Sequence, residues 1–199
     1  MTDHRPFSVL HVCIGNICRS PMAERLFVKA LREHVGDRVD ELFLSHGAGT
    51  GSWHVGEPMN PPAAREVSSR GADPSGFRAR LLTPALIESS DLVLCATSVQ
   101  VERVLQLRPD AKARTFVLGE FGRLLATVRL DHAGPPRDPA AALSRGQTLV
   151  AAVDAARAGA ASLPNDDLDD PYGMSQAAFA RAADEIEATV VPLAAALAG

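Results

Sequence analysis

The segment HVCIGNICRSP brings together residue types that could attack and bind an anionic group, because it sets Cys13 and Cys18 beside Arg19. A cysteine thiolate is a strong nucleophile, and a nearby cation or helix N-terminus favours the thiolate form. Gly15 and Asn16 tolerate positive φ, so the backbone can curl and aim several N–H groups at one point. The guanidinium of Arg19 adds a planar fork that matches two phosphate oxygens. The segment therefore predicts a cysteine thiolate that is centred under a bound phosphate and acts as a nucleophile toward phosphorus.

Such a loop needs a strand before it and a helix after it. The short apolar run 8–12 predicts a buried strand, and the apolar residues after Pro21 recur at helical spacing, with Ser20 as the expected N-cap. Further strands are expected at 42–45, 92–96 and 115–118, and helices at 62–69, from Pro84, at 98–107 and at 121–128.

This alternation predicts an α/β fold. Strands that alternate with helices form a parallel sheet, here central and four-stranded, with helices on both faces. Ligands of such sheets bind beyond the carboxyl ends of the strands, where the loop after the first strand stands.

The remaining segments predict one domain over residues 1–199. Residues 46–62 and 132–139 are rich in glycine and proline and are expected as loop and linker. Residues 140–159 are alanine-rich with a thin apolar stripe, residues 163–173 form an acidic loop, and Ser175 is expected to cap a last helix. No internal repeat or second core is evident.

The composition of the chain argues against several classes of function. The chain has 199 residues, 46% of them hydrophobic, and a formal charge of −4 without a basic block, which argues against nucleic acid as a partner. A signal-peptide pattern and an apolar run of roughly 20 residues are both lacking, so a cytoplasmic location without membrane contact is expected. The three cysteines and six histidines show no zinc spacing, so no metal is predicted.

Here the residues resemble a known family. VCIGNICRSP resembles the C-x5-R-S signature of the low-molecular-weight protein tyrosine phosphatases. AGTGSWHVGEP (48–58) is similar to that family's pocket wall, FRARLLTP (77–84) to its helix-linking stretch, and Asp170-Pro171-Tyr172 to its late acid loop. The similarity covers about 7–124 and 168–195.

The resemblance implies roles for individual residues, without any cofactor. Cys13 would be the nucleophile and form a cysteinyl-phosphate, Ser20 would hydrogen-bond its sulfur, and Asp170 would protonate the leaving oxygen and then activate water. The phosphate oxygens would bind Arg19 and the backbone amides of the loop residues Ile14, Gly15, Asn16, Ile17 and Cys18. The substrate would be a phosphotyrosine-containing protein or a small aryl phosphate, with inorganic phosphate as product.

Two of these roles have simpler alternatives. Ser20 can be a helix cap alone. Asp170 can be one more solvated carboxylate in a run with Asp166, Asp167 and Asp169.

Aromatic and sulfur side chains extend the expected site. Trp53 and Tyr172 are the only tryptophan and tyrosine, and both stand in loops, where they could form a slot for a phenyl ring or pack as ordinary loop residues. Cys18 is either a packing residue or the partner of an oxidised Cys13 in a reversible disulfide.

The sequence departs from the family pattern at Phe77, near Thr97, where relatives commonly have an aspartate, and over residues 126–166. Phe77 stands where relatives often have a histidine that supports the loop asparagine, and phenylalanine cannot donate that bond. Residues 126–166 form a longer stretch than usual, either a lid or partner surface or a tolerated insertion. No exposed apolar stripe requires a dimer, so a monomer is expected.

Two other function classes compete with phosphate ester hydrolysis. An arsenate reductase would use Cys13 with Cys18 or Cys95 to pass electrons outward as a disulfide. A phosphate-binding module without catalysis would not need the full set of Cys13, Arg19 and Asp170.

Overall fold

The computed structural model describes residues 5–129 and 134–199. Its centre is a parallel sheet of four strands in the order β2-β1-β3-β4, which confirms the predicted α/β class. The strands are β1 (Phe7–Cys13), β2 (Phe43–Gly49), β3 (Leu92–Cys95) and β4 (Thr115–Val117).

Helices cover both faces of this sheet. They are α1 (Arg19–Val35), α2 (Val39–Leu42), α3 (Pro61–Ser69), α4 (Pro84–Glu88), α5 (Ser98–Leu107), α6 (Leu118–Leu125), α7 (Pro139–Arg157) and α8 (Gln176–Ala198). One core packs alternate β1 side chains against α1, α6, α7 and α8, and the other packs the remaining β1 side chains against α4 and α5. None of the described helices is long and apolar enough to cross a bilayer.

Strand β1 positions the predicted loop. All seven of its residues are buried, and it pairs with β2 on one side and β3 on the other. A strand that is central and covered on both faces reads as a continuous apolar run, as this one does. Cys13 therefore leaves the sheet at its carboxyl edge, with neighbouring strands on both sides.

Strand β2 is longer than predicted. The sequence indicated a strand at 42–45 and a loop from 46, but the strand runs to Gly49 and a helical turn, α2, precedes it. Glycine has a low strand propensity, but here the absence of a side chain on Gly49 lets the backbone of β2 lie close to the loop after β1. A Cβ on Gly49 would lie 2.6 Å from the carbonyl oxygen of Ile14.

The alanine-rich helix α7 belongs to the core despite its thin stripe. Leu143, Leu149 and Val153 are buried, and Gly146 lies directly against the ring of Phe7. Phe7 begins β1, at the opposite end from Cys13, so this helix is no lid over the loop. The predicted linker at 132–139 lies partly outside the described residues.

Local signals placed several helix ends correctly. Thr83 caps α4, its Oγ1 accepting from Leu86 N at 3.3 Å, and α8 follows Ser175. The expected helix at 121–128 instead begins at Leu118, directly after β4.

Two buried histidines make the stability of this fold sensitive to pH. Burial lowers the pKa of His11 to about 3, and burial with the positive charge of Arg80 lowers the pKa of His46 to about 4. In the unfolded chain both return to the ordinary 6.5 and take up protons first as the pH falls. Their contribution is thus full above about pH 6.5 and lost toward pH 4.

We expect each histidine to cost about 2 kcal/mol of unfolding free energy at pH 5 relative to pH 7.5. Urea unfolding at the two pH values measures this difference. His46→Asn should shrink it by about that amount, and His34→Asn, at an exposed position, should leave it unchanged. An equal pH dependence in His46→Asn and the parent would contradict the prediction.

Candidate active site

The loop between β1 and α1 reverses the chain at Asn16, whose φ of 53° lies in the left-handed region. Helix α1 begins at Arg19 with Cys18 in the N-cap position, so the prediction of Ser20 as cap is wrong. Ser20 lies inside the first turn, and its hydroxyl is engaged by the loop: its Oγ accepts from Asn16 Nδ2 at 2.8 Å and lies 3.0 Å from Cys13 Sγ.

The sulfur of Cys13 sits among hydrogen-bond donors. The Asn16 N–H donates to Sγ at 3.3 Å, and the Ser20 hydroxyl is its second neighbour. The N-terminus of α1 adds its dipole directly behind the loop. Cys13 is 2% exposed, so this environment, rather than bulk water, surrounds the sulfur.

Asn16 is held without the histidine seen in relatives. Its side chain is fully buried, donates to Ser20 through Nδ2 and accepts from the Arg80 N–H at 2.8 Å through Oδ1. Phe77, in the histidine's place, is buried as an apolar residue. A backbone amide of the 77–84 stretch thus supplies the support that the phenylalanine cannot.

Arg19 joins the loop to the late acid segment. Its Nη1 donates to Leu168 O at 2.9 Å and its Nη2 to Asp170 Oδ2 at 2.8 Å. Its Nε is buried and has no hydrogen-bond partner within the described residues. An unpaired buried donor is costly, and an anionic oxygen would satisfy it. The side chain of Asp170 is 44% exposed, so it faces the open side of the site.

The acidic run is only partly solvated, contrary to the expectation for such a loop. Asp166 is buried and accepts two bonds from Arg123, at 3.1 and 2.8 Å. Asp167 accepts from the Ser98 N–H at 2.7 Å and the Ser98 hydroxyl at 3.1 Å. These partners lie on α6 and α5, far away in sequence, which is why composition alone indicated solvent.

A cavity of about 250 Å³ opens above Cys13. It is lined by Cys13, Ile14, Gly15, Ile17, Cys18, Arg19, Trp53, His54, Asp170 and Tyr172. Asn16 and Ser20 are buried behind this surface. Trp53 and Tyr172 are 65% and 57% exposed and stand at its mouth, where their role as walls for a phenyl ring stays a prediction. The structure therefore gathers the predicted residues around one opening.

His54 is a wall residue that the sequence reasoning missed. Its ring centroid lies 6.3 Å from that of Trp53 and 6.1 Å from that of Tyr172, and it packs over Gly15. Its Nδ1 pairs with Glu57 at 2.7 Å. Adjacency to Trp53 in a glycine-rich loop was the only signal available, and it does not fix which way a ring points.

The other two cysteines are buried thiols. Burial, followed by the nearby sulfur of Cys13 and the carboxylate of Asp170, raises the pKa of Cys18 to about 12. Burial likewise raises the pKa of Cys95, which is fully enclosed in β3. An outward electron relay through Cys95 would require that strand to open. A Cys13–Cys18 disulfide stays a prediction.

Comparison with known proteins agrees with this geometry. Residues 8–145 match the sequence model of the family described as low molecular weight phosphotyrosine protein phosphatase. The low molecular weight protein-tyrosine-phosphatase PtpA of Staphylococcus aureus is 30% identical over 116 residues, 58% of this chain and 71% of that protein.

Solved structures share the fold. Vibrio vulnificus Wzb in complex with benzylphosphonate superposes with a TM-score of 0.65 at 23% identity, over 95% of this chain and 97% of that one. The YwlE arginine phosphatase from Geobacillus stearothermophilus gives 0.64 at 23% identity, over 96% and 92%. The sequence match covers the loop from Cys13 to Arg19 but stops before Asp170, which only the folded chain brings to Arg19. Matched over more than half of its length and in its strand-loop-helix core, the chain belongs to the low molecular weight phosphotyrosine protein phosphatase family.

Proposed function

We propose that the protein hydrolyses phosphotyrosine and related aryl phosphate monoesters through a cysteinyl-phosphate intermediate. One observation carries this most directly. Cys13, Arg19 and Asp170 converge on a cavity whose mouth bears Trp53 and Tyr172. A nucleophile, an anion-binding fork, a proton donor and flat apolar walls are what this reaction requires.

In the first step the phosphate oxygens bind the Arg19 guanidinium and the loop amides from Ile14 to Cys18. The Cys13 sulfur attacks phosphorus as the bond to the phenolate oxygen breaks, and Asp170 gives that oxygen its proton. Arg19 already has one unpaired donor, Nε, and to bind two phosphate oxygens its Nη2 must turn from Asp170 to the phosphate. Once Arg19 binds the phosphate, the Asp170 carboxyl group is free to face the leaving oxygen.

In the second step Asp170, now a carboxylate, takes a proton from water as the water oxygen attacks phosphorus. The P–S bond breaks, Cys13 leaves as a thiolate, and inorganic phosphate is released. The Ser20 hydroxyl, 3.0 Å from the sulfur, can donate to that leaving thiolate. Asn16, which bonds Ser20, keeps the hydroxyl in place.

The side chains that line the cavity indicate the substrate class. Trp53, His54 and Tyr172 make a surface of three rings beside the loop, and Ile14 and Ile17 are apolar residues within it. Aromatic side chains favour offset or edge contacts with another ring. A phenyl phosphate group therefore fits this cavity better than an aliphatic phosphate.

The two competing functions gain less support. Arsenate reduction is not favoured, since Cys95 is enclosed in the sheet and the family match is to phosphatases. A binding module without catalysis would not need Asp170 beside Arg19 at the mouth of the cavity.

A parallel assay tests the proposed function. We expect kcat/KM for a phosphotyrosine peptide to exceed that for a phosphoarginine peptide by at least about tenfold, because the walls match a flat ring. Phosphoarginine is included because a structural neighbour is named an arginine phosphatase. Thioredoxin-coupled arsenate reduction should stay at background. Faster phosphoarginine hydrolysis, or arsenate reduction that Cys95→Ala removes, would overturn the assignment.

A further inference from the structure

The carboxylate of Asp167 makes a contact that has no part in the two proposed chemical steps. It lies three residues before Asp170, and its carboxylate accepts from both the N–H and the hydroxyl of Ser98. Ser98 is the first residue of α5, so the carboxylate caps the N-terminus of a helix from outside that helix. The carboxylate thereby satisfies the first N–H of this helix, which has no partner within the helix itself.

The chain beside Asp167 is fixed as well. The Leu168 N–H donates to Ala96 O at 2.8 Å, and the Leu168 side chain is buried. Leu168 O in turn accepts from Arg19. On the other side Asp166 pairs with Arg123. Residues 166–168 are therefore fastened to α6, to α5 and to the end of β3.

Asp170 itself has weaker contacts than residues 166–168. Its contact with Arg19 joins a buried guanidinium to a carboxylate that is 44% exposed, so solvent partly screens the ion pair on the side of the acid. When Arg19 turns to the phosphate, this contact is lost at the moment when Asp170 must face the leaving oxygen. The position of Asp170 then depends on its two flanks: the segment just before it, and the buried Pro171 with the Tyr172 N–H, which donates to Asp170 Oδ1 at 3.2 Å.

Resting on the proposed function, we propose that Asp167 is a positioning residue, which holds Asp170 within reach of the leaving oxygen by capping α5. The carboxylate does not touch the substrate. It fixes the backbone from which the acid projects, and it does so through a helix end that neither Arg19 nor the phosphate contacts. A general acid displaced by about 1 Å can lose much of its effect, up to roughly 10²-fold.

The test compares leaving groups in single turnovers of Asp167→Ala. Phosphoenzyme formation from phenyl phosphate, which needs a proton on its oxygen, should slow by about tenfold or more. Formation from nitrophenyl phosphate, whose leaving group needs little help, should change by less than about threefold. Asp169→Ala is the matched control, because Asp169 is an exposed neighbour, and both of its rates should stay close to the parent values. Equal slowing with both substrates in Asp167→Ala would overturn the proposal.

A double-mutant cycle shows whether the effect passes through Asp170. Asp167→Ala introduced into Asp170→Asn should not slow phenyl phosphate further, since the proton donor is already gone. Additive losses would assign Asp167 a different role. The inhibition constant for inorganic phosphate should stay within about threefold in Asp167→Ala, because Leu168 keeps its own anchors to Ala96 and the core.

Misfolding of a variant can be distinguished from displacement of the general acid. The ratio of the two substrates is taken on one sample, so a smaller folded fraction lowers both rates and leaves the ratio unchanged. Ser98→Ala removes only one of the two bonds and should move the ratio in the same direction by a smaller factor; an unchanged ratio would count against the proposal. Failure of the proposed function would show instead in the parent protein, as absence of a phosphoenzyme with either substrate.

Discussion

Cys13→Ser should lower turnover of aryl phosphates by at least about 10³-fold while leaving the loop able to bind phosphate. A serine hydroxyl remains protonated at neutral pH, so the attacking atom loses its negative charge. The anion cradle is otherwise intact, because it consists of backbone N–H groups, the N-terminus of α1 and the guanidinium of Arg19.

Two measurements separate these effects. Steady-state hydrolysis reports turnover, and thermal unfolding with added inorganic phosphate reports binding, since a ligand at about 100 times its Kd stabilises the fold by about 2.7 kcal/mol. Cys95→Ala is the control: this cysteine is buried in β3 and should be dispensable for hydrolysis. Full activity in Cys13→Ser would remove Cys13 from the mechanism.

Asp170→Asn should slow phosphoenzyme formation from phenyl phosphate or phosphotyrosine by about 10²- to 10⁴-fold. Asparagine keeps the shape of the side chain but cannot transfer a proton. A phenolate of high pKa leaves slowly unless it is protonated as the P–O bond breaks. An activated nitrophenolate needs little help, so its rate should fall far less.

The contacts of the neighbouring aspartates decide which of them can serve as a control for Asp170→Asn. Asp166 and Asp167 hold structural contacts, so substitutions there report on the loop rather than on solvent charge. Asp169→Asn is the matched control, being adjacent and exposed. Single turnovers over a series of leaving groups measure the effect. An unchanged leaving-group dependence in Asp170→Asn, or a larger loss in Asp169→Asn, would show that the acid is another carboxylate.

The sequence by itself determined the parts of the site that are contiguous. The apolar run of β1, the curl at Gly15 and Asn16 and the presence of a helix after them follow from local preferences, although the helix begins at Arg19 and not after Ser20. The candidate nucleophile and the guanidinium beside it could therefore be named from eleven neighbouring residues. The same holds for the start of α4 at Pro84 and for the start of α8 directly after Ser175. These features depend on residues a few positions apart, which meet in almost any fold that the chain adopts.

Contacts between distant segments were decided only by the tertiary structure. Asp170 reaches Arg19 across 151 positions. Only the adjoining Pro171-Tyr172 distinguished it in the sequence from Asp166 and Asp167, whose partners lie on α6 and α5. Three further features also depend on contacts between distant segments. They are the extension of β2 through its glycines, the position of the His54 ring in the cavity wall, and the hydrogen bond from the Arg80 N–H to Asn16. Each depends on which backbone or side chain arrives from elsewhere, because burial and pairing, rather than intrinsic preference, set the free energy of those contacts.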